Sequence, residues 1–380
     1  MFLLICMVIG MRIRYSTIKE NRVCKYIFQA LVLLVFVSQV FVLSCTEKSE
    51  DKTKISVISE QDFFDRYNKK VLPFYNSCEQ GFFFGVENKR INYLKYESEK
   101  KDTAIIILHG KSESYIKYAE LIYDLKEPGL SFYLMDHRGM GFSERILDHD
   151  RDKVFVKNFD NYVIDLKTFI DTVVTRKKHK KLFLISHSTG GTIAALYLES
   201  FPDDFNGAVF SAPMMKLNTG IFPEKIIDLI ARFFISIKMG ENYSITQGKR
   251  KPRNFNNNNL TSSRKRWDLW EEKILPENPE ILSGGATNRW ISESIKACRK
   301  ALNNSHKIKA PVLILKAEND PVVKSEEIDI FCEKTACEKI SFKNAKHEIL
   351  MEKDSIRNIA LQQILNFINE QRSKDKAKTF

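Results

Sequence analysis

The stretch Leu182-Phe183-Leu184-Ile185-Ser186-His187-Ser188-Thr189-Gly190-Gly191-Thr192-Ile193-Ala194-Ala195 constrains this chain more than any other. A short continuous apolar run suits a strand buried on both faces. The small and apolar residues from Thr189 onward read as a helix. Ser188 sits at the turn between the two, with Ser186 two positions before it and Gly190 two positions after. A sharp strand-to-helix reversal lifts such a serine above the sheet edge, and the helix N-terminus adds partial positive charge there. The usual elbow has glycine where this chain has Ser186, and serine is small enough to replace it. The plain alternative is a serine-rich helix N-cap without chemistry.

The rest of the chain supplies the same rhythm. Residues 81–96 alternate apolar and polar side chains, as a hairpin does. Short apolar runs at 104–108, 132–135, 207–210, 312–315 and 339–342 read as further strands. Helical spacing marks 113–125, 158–175, 189–199 and 354–368. Strands alternating with helices predict an α/β fold, with a mostly parallel central sheet covered by helices on both faces. The rhythm breaks from 213 to about 309. That stretch holds Asn256-Asn257-Asn258-Asn259, all three tryptophans and a Gly284-Gly285 turn, and reads as a helical cap inserted into the domain.

In folds with this elbow, the acid and then the histidine follow the serine along the chain. Asp320 lies in Glu318-Asn319-Asp320-Pro321-Val322-Val323, a turn directly after the 312–315 strand. Glu318 is the rival acid, and the D-P-x-V context favours Asp320. His347 is the one histidine after Asp320, between the last strand and the last helix. An oxyanion needs main-chain donors. The N–H after the nucleophile belongs to Thr189, and the second is assigned to Lys111 in the His109-Gly110-Lys111 loop. No zinc site is expected, since no CxxC pair or zinc-spaced His/Cys cluster occurs among the seven cysteines.

The N-terminal segment reads as a leader. Residues 12–25 are basic, 26–42 are almost wholly apolar, and Val42-Leu43-Ser44-Cys45 precedes a polar run. A basic region, an apolar region and small residues before a cut describe a secretory signal. The ending resembles a bacterial lipoprotein box, which makes Cys45 the candidate lipid-attachment residue. An uncleaved anchor is the alternative, since the apolar run is just long enough to span a bilayer; simple secretion is the third. Met11 offers a second start that gives a more conventional leader. The expected organisation is a leader at 1–44, a tether at 45–70 and a catalytic domain at 71–380. All three leader readings place that domain outside the cytoplasmic membrane, in a bacterial cell envelope, where disulfides form; Cys332 and Cys337 are close enough in sequence to pair. The formal net charge of +12 comes with no nucleic-acid motif and scattered lysines, so a solvated basic surface is expected and no nucleic-acid partner.

With these residues placed, the chain resembles the monoacylglycerol lipase and lysophospholipase L2 branch of the α/β-hydrolases, with a serine aminopeptidase S33-type hydrolase domain. The strings that carry the resemblance are ILHGKSESYIKYAELIYDL, LMDHRGMGFSER, ISHSTGG, AENDPVV and AKHEILMEKD, spanning about Ile105 to Ile368. The cap strings NNLTSSRKRWDLW and NPEILSGGATNRWISES point to lysophospholipase L2, which usually has proline where this chain has Ala286. The resemblance implies hydrolysis of a lysophospholipid or monoacylglycerol ester, with no metal or organic cofactor. Trp267, Trp270, Phe233 and Phe234 then become candidates for an acyl channel, or plain cap core. An esterase or acyltransferase of the same fold, an aminopeptidase-type relative, and a catalytically silent surface lipoprotein remain as rivals.

Overall fold

The continuous apolar runs become the interior strands of an eight-stranded sheet. The computed structural model describes residues 57–374; the leader, Cys45 and the first part of the expected tether, to residue 56, lie outside them. The strands are β1 (Glu79–Phe84), β2 (Arg90–Tyr96), β3 (Thr103–Leu108), β4 (Leu130–Met135), β5 (Lys181–His187), β6 (Gly207–Ser211), β7 (Val312–Ala317) and β8 (Glu338–Phe342). Their spatial order is β1-β2-β4-β3-β5-β6-β7-β8. The hairpin at one edge pairs antiparallel, and every pair from β4 to β8 is parallel. Register aligns the strand ends that carry chemistry, with Leu108 opposite both Met135 and Ser186.

Side chains alternate across a strand, so each strand feeds two cores. On one face Ala104, Ile106 and Leu108 meet helices α3 (Asp160–Phe169) and α4 (Thr189–Ser200). On the other, Ile105 and Ile107 meet α1 (63–77), α2 (Ala119–Leu125) and α9 (Asp354–Ser373). The expected α/β-hydrolase architecture is the observed one.

Two boundaries differ from the sequence reading. The tether does not run to residue 70. The Ile58 N–H donates to Asp124 Oδ1 at 2.9 Å, and Phe63, Tyr67, Val71 and Tyr75 are buried in the core. Those residues recur every four positions, a helical stripe hidden among charged neighbours that face solvent. The expected helix over 113–125 is an α-helix only from Ala119. Ser114 Oγ and the Tyr115 N–H donate to the Asp136 carboxylate at 2.9 and 2.6 Å, and a 3-10 turn over Tyr115–Tyr118 follows. The end of the inserted block packs on both the cap and the sheet-covering helices. Helices α5 (Glu224–Ser236) and α6 (264–277) lie in the inserted block. The next helix, α7 (Asn288–Asn304), buries Trp290, Ile295, Cys298 and Ala301 in the same core as α4. A helical period shows that a helix has a buried face, not what covers it.

Helix α8 (Glu326–Thr335) precedes β8, and Cys332 and Cys337 form a disulfide with their Cα atoms 4.9 Å apart. Cys78 and Cys298 are free and buried. Among the described residues no helix is long and apolar enough to cross a membrane.

Candidate active site

Ser188 sits between β5 and α4 with φ 52° and ψ −118°, a conformation that L-residues rarely adopt. The surrounding hydrogen bonds hold it there. Its N–H donates to Ser211 O, and its carbonyl accepts from the Gly191 and Met214 N–H groups. The turn needs backbone close to backbone. A Cβ on Gly190 would lie 2.4 Å from Leu108 O. Ser186 fits where glycine was expected because its hydroxyl, fully buried, donates to Val209 O at 3.1 Å.

The structure brings Ser188, His347 and Asp320 together from three separate sheet-edge loops. His347 Nε2 is 2.9 Å from Ser188 Oγ, and its Nδ1 is 2.6 Å from Asp320 Oδ2. The other carboxylate oxygen, Oδ1, accepts from the Val322 and Val323 N–H groups at 2.8 and 3.1 Å. Burial alone would raise the Asp320 pKa; the hydrogen bond and charge of His347, with those two amides, outweigh it and hold the carboxyl below its ordinary value. Among the described residues Glu318 forms no hydrogen bond or ion pair with His347; its N–H donates to Phe342 O.

The assigned oxyanion donors flank Ser188. The Thr189 N–H is in the first turn of α4, where helix amides lack intrahelical acceptors. Gly110 packs directly on the nucleophile, since a Cβ there would lie 3.2 Å from Ser188 Cβ. The His137 N–H donates to His109 Nε2 at 3.1 Å, so His109 Nδ1 carries the proton and donates to Gly110 O at 2.6 Å. In a trans peptide the next N–H points opposite to that carbonyl. His109 therefore sets the direction of the Lys111 N–H, which donates to no other group among the described residues.

Sequence reasoning missed a buried charge network behind this loop. Glu113 Oε2 accepts from the Gly110 N–H and the Tyr118 hydroxyl at 2.8 and 2.7 Å. The Lys117 ammonium bridges Glu113 Oε1 at 2.8 Å and Glu348 Oε1 at 2.6 Å. Burial opposes the Glu113 charge, but Lys117, His187 and His109 hold its carboxyl well below the usual range. Burial first, and the Glu113 charge, raise Glu348 against the pull of Lys117. The His187 ring lies 4.8 Å from that of His347, and burial lowers its pKa to about 4 despite Glu113. Glu113, His187 and Glu348 converge as a metal site's donors would, yet the Lys117 ammonium already bonds both carboxylates. The signal for these residues was present only as the strings around His109 and His347.

A cavity of about 640 Å³ opens over Ser188 and His347. Trp267, Trp270 and Trp290 line it, together with Met214 and Leu217. Phe233 and Phe234 do not. Phe233 is 58% exposed on the outer face of α5, so two of the four aromatic candidates are corrected. A helical stripe in the sequence does not say whether core, cavity or solvent receives it.

An elbow serine, a hydrogen-bonded histidine and acid, and flanking amides at the edge of a parallel sheet define a serine hydrolase of the α/β-hydrolase class. Residues 99–354 match the model of the family described as serine aminopeptidase, S33. The chain belongs to that family, in its branch of lysophospholipase L2 and monoglyceride lipases. It is 32% identical to lysophospholipase L2 of Escherichia coli (strain K12) over 316 residues, 80% of this chain and 91% of that protein. It is 31% identical to a probable lysophospholipase L2 of Haemophilus influenzae over 323 residues, 83% of this chain and 100% of that one. The fold is similar to that of a soluble variant of monoglyceride lipase from Saccharomyces cerevisiae, solved with a substrate analog, with TM-score 0.62 and 18% identity over 77% of this chain and 95% of that one.

Proposed function

We propose that this protein hydrolyses the carboxylic ester of single-chain lipids, lysophospholipids or monoacylglycerols, at a membrane outside the cytoplasm. The observation that carries the chemistry is the Asp320–His347–Ser188 chain of hydrogen bonds, 2.6 and 2.9 Å long, at the floor of a tryptophan-lined cavity. His347 takes the Ser188 proton as Oγ attacks the ester carbonyl. The oxyanion rests on the Lys111 and Thr189 N–H groups. His347 then protonates the departing alcohol, and water, activated by the same imidazole, clears the acyl-enzyme. Asp320 holds the tautomer and stabilises the imidazolium. The single-chain lipid class is supported by the activities that the relatives' names carry and by a cavity large enough for an acyl chain.

The membrane part of the reading rests on different observations. Ile221, Leu229 and Phe233 are 91%, 68% and 58% exposed, forming an apolar face around α5 with Lys225 and Lys238 exposed beside it. An apolar face with flanking cations suits the surface of an anionic bilayer. A second cavity of about 380 Å³ lies under this face and shares Leu217, Gln247 and Ile291 with the first, a route from lipid to Ser188. The Cys332–Cys337 disulfide supports an oxidising compartment. A leader ending at Ser44 and lipid on Cys45 would add a tether.

A fluorophosphonate probe should label the wild-type protein and not Ser188→Ala. Release of oleate from 1-oleoylglycerol or 1-oleoyl lysophosphatidylcholine should exceed cleavage of an aminoacyl naphthylamide. Equal labelling of Ser188→Ala, or cleavage of the amide alone, refutes the reading. Mass spectrometry of the mature N-terminus tests Cys45, and flotation of Leu229→Ser/Phe233→Ser with anionic vesicles tests the face.

A further inference from the structure

Lys111 serves the oxyanion through its backbone, and its side chain is left without a role. Lys111 lines the cavity together with Ser188. Its partners are the Ser112 hydroxyl at 3.3 Å and the Trp290 ring at 5.9 Å. Among the described residues no carboxylate lies within ion-pair distance of it, unlike Lys117 in the same loop. The charges acting on it are of its own sign. Burial, then Arg253 and Arg250, lower its pKa to about 8. Arg253 also lines the cavity. Glu271 is the carboxylate that pairs with this group, and two guanidiniums share it: Arg250 closely, and Arg253 at 3.8 Å. One carboxylate cannot neutralise Lys111, Arg250 and Arg253 together. The other carboxylates lining the cavity, Glu113 and Glu348, are bonded to Lys117, and the remaining cations are costly to hold together unless an anion arrives.

We propose that Lys111 and Arg253 bind the phosphodiester of a single-chain phospholipid whose ester carbonyl sits on the Lys111 N–H. The covalent spacing fits. The same number of bonds separates the Lys111 backbone nitrogen from its ammonium as separates an sn-1 carbonyl carbon from phosphorus. One residue thus addresses both ends of that span, the oxyanion through its amide and the phosphate through its ammonium. Arg253 adds a planar fork suited to phosphate oxygens. Asn254 and Asn257, from the asparagine-rich stretch, also line the cavity and add polar groups to it. An uncharged monoacylglycerol gains nothing from the cations, so this subsite sets a preference for lysophospholipid. The assignment rests on the ester-hydrolase reading above.

The test compares 1-oleoyl lysophosphatidylcholine with 1-oleoylglycerol on the full chain in detergent. The ratio of their kcat/KM values should fall about tenfold in Lys111→Met and in Arg253→Gln, the order expected for one charge-assisted hydrogen bond. Lys111→Arg should restore most of it. A parallel fall on both substrates, with the ratio unchanged, overturns the subsite. So does a wild type that hydrolyses oleoylglycerol alone, and that result leaves the ester reading standing. Binding of dodecylphosphocholine below its micelle concentration to Ser188→Ala is measured separately. It should weaken about tenfold when Lys111→Met is added. Lys111-dependent binding without any turnover would sink the ester reading and keep the site; absence of both would sink the two together. Inorganic phosphate binding as tightly as dodecylphosphocholine would make this a free-phosphate site and overturn the lipid assignment.

Discussion

Replacing Glu113 by glutamine tests how the buried network supports the oxyanion loop. The carboxylate makes three hydrogen bonds, to the Gly110 N–H, the Tyr118 hydroxyl and the Lys117 ammonium. Glutamine offers one oxygen. Facing it toward Gly110 and Tyr118 leaves the amide –NH₂ against Lys117, so one charge-assisted bond is lost, about 1.5–3 kcal/mol. Lys117 keeps Glu348 at 2.6 Å, so the loss stays below the roughly 3–5 kcal/mol of a buried charge stripped of its partner. At about 2 °C per kcal/mol for a domain of this size, Tm should fall by roughly 5 °C. The kinetic effect is the sharper readout. Any shift of Gly110 moves the Lys111 N–H, and loss of one oxyanion donor costs about 10²–10³ in kcat. A displaced rather than deleted donor should cost about tenfold to a hundredfold, in kcat and not in KM, because the bond strengthens only in the transition state. Differential scanning fluorimetry and oleate release from 1-oleoylglycerol measure the two. A Tm loss with unchanged kcat would reduce Glu113 to a structural role, and an unchanged Tm would refute the hydrogen-bond accounting.

Three further outcomes follow from the same geometry. Asp320→Asn should lower kcat about 10⁴-fold through the wrong His347 tautomer, with fluorophosphonate labelling slowed to match; a loss under tenfold would return the acid's role to Glu318. Gly190→Ala places a Cβ 2.4 Å from Leu108 O and should destabilise by about 1–3 kcal/mol or more, read as a lower urea midpoint or as insoluble protein; wild-type stability would contradict the close approach of α4 to β3. The lowered Lys111 pKa of about 8 means a charged side chain below that pH and a neutral one above it. The lysophosphatidylcholine to oleoylglycerol ratio of kcat/KM should therefore decline as pH rises through about 8, since His347 affects both substrates alike and cancels. A flat ratio from pH 6.5 to 9.5 would remove Lys111 from the headgroup site.

The strand runs, the elbow around Ser188 and the order serine, acid, histidine were legible in the chain because each is a local pattern. A buried strand is a run of adjacent apolar residues, and a triad member sits at a loop that its own strand announces. Asp320 over Glu318 was decided by a tight turn, a local feature too. Ser186 was a departure in sequence and became ordinary in space, where Val209 O accepts its hydroxyl.

What the sequence determined by itself, then, was the fold and the loops that carry Ser188, Asp320 and His347. Tertiary structure alone decided the rest. It drew residues 58–70 into the domain, packed α7 against both α4 and α5 and turned Phe233 outward. It set Glu348 beside Lys117, 231 positions away in the chain, and left Lys111 among guanidiniums. The physical reason is the range of each interaction. Backbone geometry and side-chain period act over a few residues and leave a mark in the string. The energy of a buried charge depends on which distant group the fold sets beside it, and no spacing in the sequence records that.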